Sequence, residues 1–496
     1  MDIIRNFPCL SILLSMFTAI ICSALKGKGA RRLSTLVVGI VGILSAATLF
    51  FTMTTGEHYV YVMGHFPAPF GNEIRFGCLE AGMALFFCVI MLLSLFGGRH
   101  KIQMEIDLHK ENLYYIMVDL LLSSLLALVY TNDIFTAYVF VEINTIAACG
   151  LIMITEHGRT IEAATRYMIM SLLGSGLFLI GICLLYDMTG HLLMSNIHES
   201  IQAIVADGTY TIPVLVTIAL IVVGIAIKSA LFPFHAWLPD AYGYSTVSSA
   251  AMLSSLVSKG YIFLLIKLIY RVIGFDIFLE SKIINVLFVF GLAGMIMGSV
   301  NAIKENDIRR MISYSSVAQI GYIYMGFGLG TSAGVVASVF HILSHAATKS
   351  LLFVAGVGLT DVSGGHKNFE KLTGAAYRNK MAGVAFTVGS LSMVGIPVFA
   401  GFVSKLLFAQ AAVQNHSKLL PTLIVLAIST VLNAIYFMKT VIRIYTPVHS
   451  KYASVSVKEN PVYAVTLICF IVLNIVLGMC SEPITDWIIK GLSLFA

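Results

Sequence analysis

Fourteen apolar runs, each long enough to cross a bilayer as a helix, fill almost the whole chain, and that pattern leaves it little freedom to fold in water. A spanning helix needs about 20 mostly apolar residues. The runs lie near 8–25, 33–54, 77–97, 112–130, 133–154, 163–187, 211–232, 244–269, 281–302, 310–327, 332–356, 382–412, 418–445 and 461–480. Composition agrees: of 496 residues 58% are hydrophobic and 11% charged, whereas a soluble domain carries about 25% charged residues. Such a chain has no room for a separate cofactor domain. Its net charge of +6 reads as a topology signal, and a nucleic-acid partner is excluded. The eight cysteines, at 9, 22, 78, 88, 149, 183, 469 and 480, form no close pair of the kind that zinc or Fe–S sites require. The first run lacks a small-x-small cleavage site and is taken as a span, not a signal peptide. The tail carrying Trp487 and Lys490 is short and amphipathic and predicts an interfacial end.

Basic residues set orientation, because cytoplasmic loops retain Lys and Arg. Of the 31, 20 fall in loops after odd-numbered spans, among them Lys26, Arg32, Arg99, Lys304, Lys367, Lys451 and Lys458. Seven fall on the other side: Arg5, Arg75, Lys267, Arg271, Lys282, Lys418 and Lys490. Both termini are therefore expected outside, in a multi-pass protein of the cell inner membrane. The remaining four, Lys228, Lys259, Lys349 and Lys405, lie inside apolar runs.

Spans 4–8 and spans 9–13 start at a nearly constant offset of 169 to 174 residues. A unit with an odd number of spans re-enters the membrane upside down when repeated. The expected architecture is all-α, with 14 transmembrane helices and two inverted five-helix repeats, against chance spacing as the competing explanation. The divisions are 1–110 for spans 1–3, 111–270 and 271–446 for the two repeats, and 447–496 for span 14 and the tail.

A charge at the centre of a spanning helix costs roughly 2.5–3.5 kcal/mol, so each needs a reason, snorkelling and static ion pairing being the bland ones. Glu142 stands nine residues into the run after Asp133, roughly 13 Å deep and beyond snorkelling reach. Lys228 opens KSALFPFHAWLPDAY, with Pro233 five residues on. Proline breaks a helix, and freed carbonyls inside a membrane must line protein or water. Lys405 closes GIPVFAGFVSK, where Gly395, Pro397 and Gly401 interrupt a second run 177 residues later. The same shift applied to Glu142 lands on Gln319. His341, His345 and Lys349 recur every four residues and stack on one helix face with about 6 Å between rungs. His-x-x-x-His also suits a metal, but no acidic third ligand accompanies it, and a proton or cation path is preferred. Lys259 lies between these groups. Glu80 and Asp119 either couple to that path or pair locally. Arg166 is either Glu142's partner or interfacial, and Asp240, Asp307, Arg309 and Arg310 read as span-end residues.

Taken together, NDIF to Glu142, K-S-A-L-F-P-F-H-x-W-L-P-D-A, N-D-I-R-R-M-I-S-Y-S-S, H-x-x-x-H-x-x-x-K-S-L-L-F and G-I-P-x-x-A-G-F-x-S-K resemble the antiporter-like membrane subunits. That family is shared by Mrp-type cation/proton antiporters, respiratory complex I and membrane-bound hydrogenases. The resemblance spans runs 3 to 13 and implies fourteen core helices, a broken helix in each inverted repeat and proton transfer along a central polar axis. It gives Glu142 the role of tuning Lys228, and makes Lys259 the bridging residue. His341, His345 and Lys349 become the relay, and Lys405 the second broken-helix site. Lysine at both 259 and 405 looks closest to the Mrp D-type branch and its hydrogenase relatives. The stretch YGYSTVSSA (242–250), Gln319 and Glu80 depart from the usual pattern. No long C-terminal extension follows span 14, which disfavours one complex I subunit.

The expectation is a proton-translocating subunit of a multisubunit complex, either an Mrp-type Na+/H+ antiporter or the ion pump of a hydrogenase or complex I-like oxidoreductase. Any redox centre would sit in partners, because no cofactor or metal site is read in this chain. The implied partners are other hydrophobic subunits, a hydrogenase or dehydrogenase arm, H+ and Na+. An autonomous secondary cation/proton transporter and a membrane scaffold remain as alternatives.

Overall fold

The computed structural model describes residues 2–66, 71–208, 210–448, 454 and 460–495. Lys451 and Lys458, used above for orientation, lie outside the described residues. Long helices dominate because lipid offers the backbone no partner and a helix satisfies its own N–H and C=O groups. In chain order they are α1 (Phe7–Ala24), α2 (Gly27–Thr55), α3 (Cys78–Glu105), α4 (Glu111–Tyr130), α5 (Ile134–Met153) and α6 (Gly158–Thr189). The amphipathic α7 (Met194–Ala206), α8 (Thr211–Lys228), the short α9 (Leu238–Tyr244) and α10 (Val247–Ile273) follow. The second half contains α11 (Ile283–Lys304), α12 (Ile308–Gly328), α13 (Ser332–Asp361), α14 (Lys380–Val394), α15 (Ala400–Val413) and α16 (His416–Ile444). The chain closes with α17 (Pro461–Met479) and α18 (Ser481–Ser493).

Twelve helices among the described residues are long and apolar enough to cross a membrane. α12 has the length, at 21 residues, but carries Arg309, Arg310 and Gln319. α14 and α15 are each shorter and share one apolar run. Two features lie outside the fourteen expected helices. Tyr59–Val62 pairs antiparallel with Glu73–Phe76, and α7 packs Met194, Ile197 and Ile201 inward between the sixth and seventh runs. Several helices also outrun their apolar cores. α2 starts at Gly27 and α3 continues to Glu105, so Arg31, Arg32, Arg99 and Lys101 ride helix ends, not loops. The division expected after 270 falls inside α10, and the chain turns only at Gly274 (φ 88°).

Burial separates centre from rim. Every residue in the most apolar stretch of α10 and of α13 is buried, against 28% for α16. The polar groups of the two central helices therefore face protein on all sides.

Two aspartates cap helices in a similar way. Asp133 caps α5 by accepting from Thr136 N at 2.6 Å, and Asp307 caps α12 by accepting from Arg309 N at 2.8 Å. A side-chain oxygen at that position satisfies an N–H that has no partner inside the helix. The residues just before each helix also form an isolated bridge with the segment that follows the next helix. Ile134 N donates to Leu192 O at 2.9 Å, and Ile308 N to Lys367 O at 3.1 Å. The return bonds, Met194 N to Asn132 O at 2.8 Å and Phe369 N to Asn306 O at 3.2 Å, complete both bridges.

Candidate functional site

The first interrupted helix ends at Lys228, the last residue of α8, and resumes at α9 only after Ser229–Trp237. Ala230 takes φ 62° inside the break. α8 lies close on α6 because Gly174 and Gly224 face each other. A Cβ on Gly174 would meet Gly224 O at 2.7 Å and Lys228 Cγ at 3.1 Å. That approach fixes the lysine stem. Lys228 is 1% exposed, donates to Thr145 Oγ1 at 2.7 Å and lies 5.3 Å over the Tyr261 ring. Tyr261 Oη continues the polar run by donating to Asn144 Oδ1 at 2.9 Å, and Asn144 Nδ2 to Ser124 Oγ at 2.8 Å.

Glu142 stands one turn before Thr145, on the same face of α5. Among the described residues no direct ion pair joins it to Lys228. The Thr145 hydroxyl takes the ammonium's hydrogen bond instead, and Glu142 Oε1 is buried without a partner. Arg166 is not its counter-ion either, because it pairs with Glu162 at 2.6 Å and Asp240 at 2.9 Å near the helix ends.

The second interruption lies between α14 and α15, where Gly395 takes φ 92° and Val398 φ 84°. Lys405, in α15, reaches back to the open end of α14. Its Nζ donates to Val394 O at 2.6 Å, Met393 O at 3.2 Å and Thr430 Oγ1 at 3.1 Å. Those carbonyls belong to the last turn of a helix, where intrahelical donors run out. A cavity of about 10 Å³ touches Lys405, Gln319, His341, His345 and Thr348, room for about one water. Gln319, the shifted counterpart of Glu142, thus lies beside the second lysine.

Between the breaks run α10 and α13. α10 widens into π-helical turns at Leu253–Val257 and Ile269–Ile273. A π turn displaces one carbonyl from the α ladder. Lys259 is fully buried, and its ammonium donates to Ser254 O in the first such turn. Ser350 Oγ of α13 donates to Ser255 Oγ at 2.8 Å, joining the two helices. On α13 the expected ladder forms. The His341 and His345 rings stack with centroids 5.8 Å apart and 11° between planes, and Tyr322 stacks on His341 at 5.5 Å. His341 Nδ1 is hydrogen-bonded to Ser404 Oγ, while His341 Nε2 and both ring nitrogens of His345 are buried without a partner. Lys349 donates to Ile312 O at 2.8 Å and to Ser315 Oγ. The first break also meets the second half directly, through Ser229 Oγ and Tyr324 Oη at 2.6 Å.

Three charged residues read as orientation or span-end groups are buried participants instead. Lys267 is fully buried and donates to Leu128 O at 3.2 Å, Val129 O at 2.8 Å and Thr131 O at 2.6 Å, closing the C-terminus of α4. Arg271 forms an ion pair with Glu80, both side chains 1% exposed, so Glu80 pairs locally. Arg309 donates to Tyr242 O at 3.1 Å and to Ser245 O at the end of α9. A signal for the first two exists. Lys267 and Arg271 are four residues apart in YIFLLIKLIYRVIGF, one face of a helix longer than a bare span requires. Asp119 is also satisfied locally, by Ser34 Oγ at 2.7 Å and Cys22 Sγ at 3.6 Å. Among the described residues no three His, Cys, Asp or Glu side chains stand close enough to hold a metal ion.

Comparison with known proteins agrees with this arrangement. Residues 131–432 match the family described as NADH:quinone oxidoreductase/Mrp antiporter, transmembrane. The chain is 30% identical over 449 residues to NADH-quinone oxidoreductase subunit N of Desulforudis audaxviator, covering 89% of this chain and 86% of that one. A chain of the archaeal membrane-bound sulfane sulfur reductase superposes with a TM-score of 0.88 at 25% identity, covering 100% of this chain and 98% of that one. A chain of the Mrp complex from Dietzia sp. gives 0.87 at 22% identity, covering 99% and 97%, and shares the fold. The chain is a multi-pass integral membrane protein of the NADH:quinone oxidoreductase/Mrp antiporter transmembrane family.

Proposed function

We propose that the chain is the proton-translocating, antiporter-like subunit of a multisubunit membrane complex. Protons enter near Lys228, cross by Lys259 and the His345–His341 ladder with Lys349 beside it, and leave near Lys405. The observation that carries this reading is how the cations are held. Lys228, Lys259, Lys349 and Lys405 meet hydroxyls and carbonyls, and none forms an ion pair among the described residues. A permanent buried cation needs a counter-ion, because desolvating a lone charge is costly. A lysine held by neutral dipoles can release its proton and leave no stranded anion behind. The unpartnered nitrogens of His341 and His345 and the unpartnered Glu142 Oε1 supply further stations, since imidazole accepts a proton on one nitrogen and releases it from the other. Glu142 biases the entry site from one helical turn away, and pairs with Lys228 when that ammonium leaves Thr145.

The same reading takes the fourteen runs as fourteen crossings with both termini outside the inner membrane, and the segments 111–270 and 271–446 as inverted units. The matched caps and bridges at Asp133 and Asp307 support it. The relatives belong to an NADH-quinone oxidoreductase and to respiratory and Mrp complexes, so the partners are other hydrophobic subunits, with any redox reaction carried out in them. The test is proton uptake by proteoliposomes containing the native complex with Lys405→Ala. Loss of translocation with the complex still assembled is expected. Full activity would overturn the route, and coupled cation/proton exchange by the isolated chain would replace the subunit reading by that of an autonomous transporter.

A further inference from the structure

A cleft away from the lysine axis opens where α2 and α3 leave the apolar layer. It has two lobes of about 640 and 370 Å³ that meet at Phe96 and Arg99, which line both. Each lies within the roughly 300–1,000 Å³ typical of ligand sites. Arg32, near the start of α2, and Arg99, near the end of α3, stand at the rim of the smaller lobe. Both are exposed, and neither has a hydrogen bond or ion pair among the described residues. Their neighbours differ, since Arg31 pairs with Glu111 at 3.1 Å and Lys101 with Asp361 at 2.6 Å. Further along the same helices the surface turns apolar, with Leu36 57% and Phe96 36% exposed and Tyr115 behind them.

We propose that this cleft binds an anionic phospholipid, with its phosphate between Arg32 and Arg99 and its acyl chains along Leu36 and Phe96 of the smaller lobe. Two free guanidinium groups at one rim complement a phosphate, and guanidinium geometry suits its oxygens. Basic pockets between spanning helices have the character of lipid-headgroup sites. The surface below the arginines selects a lipid over an acidic segment of a partner. A peptide backbone at that depth would need hydrogen-bond partners, which Leu36 and Phe96 cannot supply, whereas an acyl chain needs none.

The test is native mass spectrometry of the full-length chain in phosphatidylcholine micelles titrated with phosphatidylglycerol. Phosphatidylglycerol should be retained in preference to phosphatidylcholine. Arg32→Gln with Arg99→Gln should lower that retention at least about tenfold, and Arg99→Gln alone and Arg32→Lys with Arg99→Lys should each lower it less, the lysines keeping the charge and losing the fork geometry. Lys304→Gln, at an exposed position that lines neither lobe, should change nothing. Glycerol phosphate, which has the headgroup chemistry without the chains, should fail to compete. Undiminished phosphatidylglycerol retention in Arg99→Gln or in the double glutamine variant, or equal retention of phosphatidylcholine, would overturn the proposal. Displacement by glycerol phosphate would overturn the acyl-chain part and leave a phosphate site.

Discussion

At the first break Lys228 is the final residue of its half-helix and its ammonium rests on the Thr145 hydroxyl, with Glu142 one turn away. At the second, Lys405 belongs to the half-helix after the break and reaches back to the carbonyls of Met393 and Val394, with the neutral Gln319 lining the same cavity. Both arrangements put an ammonium at the C-terminal end of a half-helix, where the macrodipole is negative. They differ in what else favours the charge. The first site has one neutral hydrogen bond and a nearby carboxylate, whereas the second has three neutral hydrogen bonds and no carboxylate. On the proposed function, the break sets the position of each lysine, and its local partners set how firmly the proton is kept. On this reading the first site responds to charge and the second to geometry.

The largest expected effect is on Lys405. Its replacement by alanine should cut proton translocation at least about hundredfold, the scale of losing a proton-transfer group, measured as uptake by proteoliposomes of the complex. Retained transport in Lys405→Ala beside lost transport in Lys228→Ala would show that the breaks are not functional counterparts. Next comes Glu142→Gln, which makes the first site resemble the second. Removing roughly 1.4 kcal/mol of charge attraction should slow transport about tenfold. A silent Glu142→Gln would remove the carboxylate as the distinguishing element, and Gln319→Glu in the same assay should alter the rate in a charge-dependent way.

A smaller difference should appear in stability. Thr145→Val removes the one hydrogen bond seen for Lys228 and should cost about 2 kcal/mol, because a buried ammonium loses its acceptor. Thr430→Val leaves Lys405 two carbonyls and should cost under about 1 kcal/mol. Denaturant unfolding in detergent measures both, and equal losses would erase the proposed asymmetry. The smallest effect concerns the two bridges. Leu192 in the first is replaced in the second by Lys367, whose ammonium is pushed from 10.5 down to about 8, chiefly by the neighbouring Arg309 guanidinium and then by burial. Between these values the unfolded chain holds the proton and the folded chain has released it, so stability rises with pH from about 8 to 10.5, in accordance with linkage. Solvent screening limits the gain to less than about 1 kcal/mol. Lys367→Gln should flatten that rise in thermal unfolding followed against pH, and an unchanged rise would place its source elsewhere.

Much of the site was legible because its signals are local. Pro233 and Gly395 with Pro397 mark the breaks within a few residues, and the i, i+4, i+8 spacing of His341, His345 and Lys349 places them on one face of any helix. Lys267 and Arg271 were misplaced because a dip in hydropathy at a run's end looks the same whether the helix stops or a neighbour accepts the charge. Here α4 offers three terminal carbonyls to Lys267, and Glu80 of α3 meets Arg271. The π turns of α10 carry no local signature in LSSLV or IYRVI, and the strand pair around Glu73 was hidden by its brevity.

The sequence by itself determined that this protein lives in a membrane, where two of its helices break and which scarce ionisable groups lie at membrane depth. Those follow from side-chain transfer energies and backbone restrictions that act within a few residues. Only the tertiary structure decided whom each group touches. Lys228 rests on Thr145, 83 residues away, and not on Glu142, and Lys267 closes a helix end nearly 140 residues earlier. A hydrogen bond tolerates only a few tenths of an ångström, and no spacing within one helix encodes the placement of another to that precision.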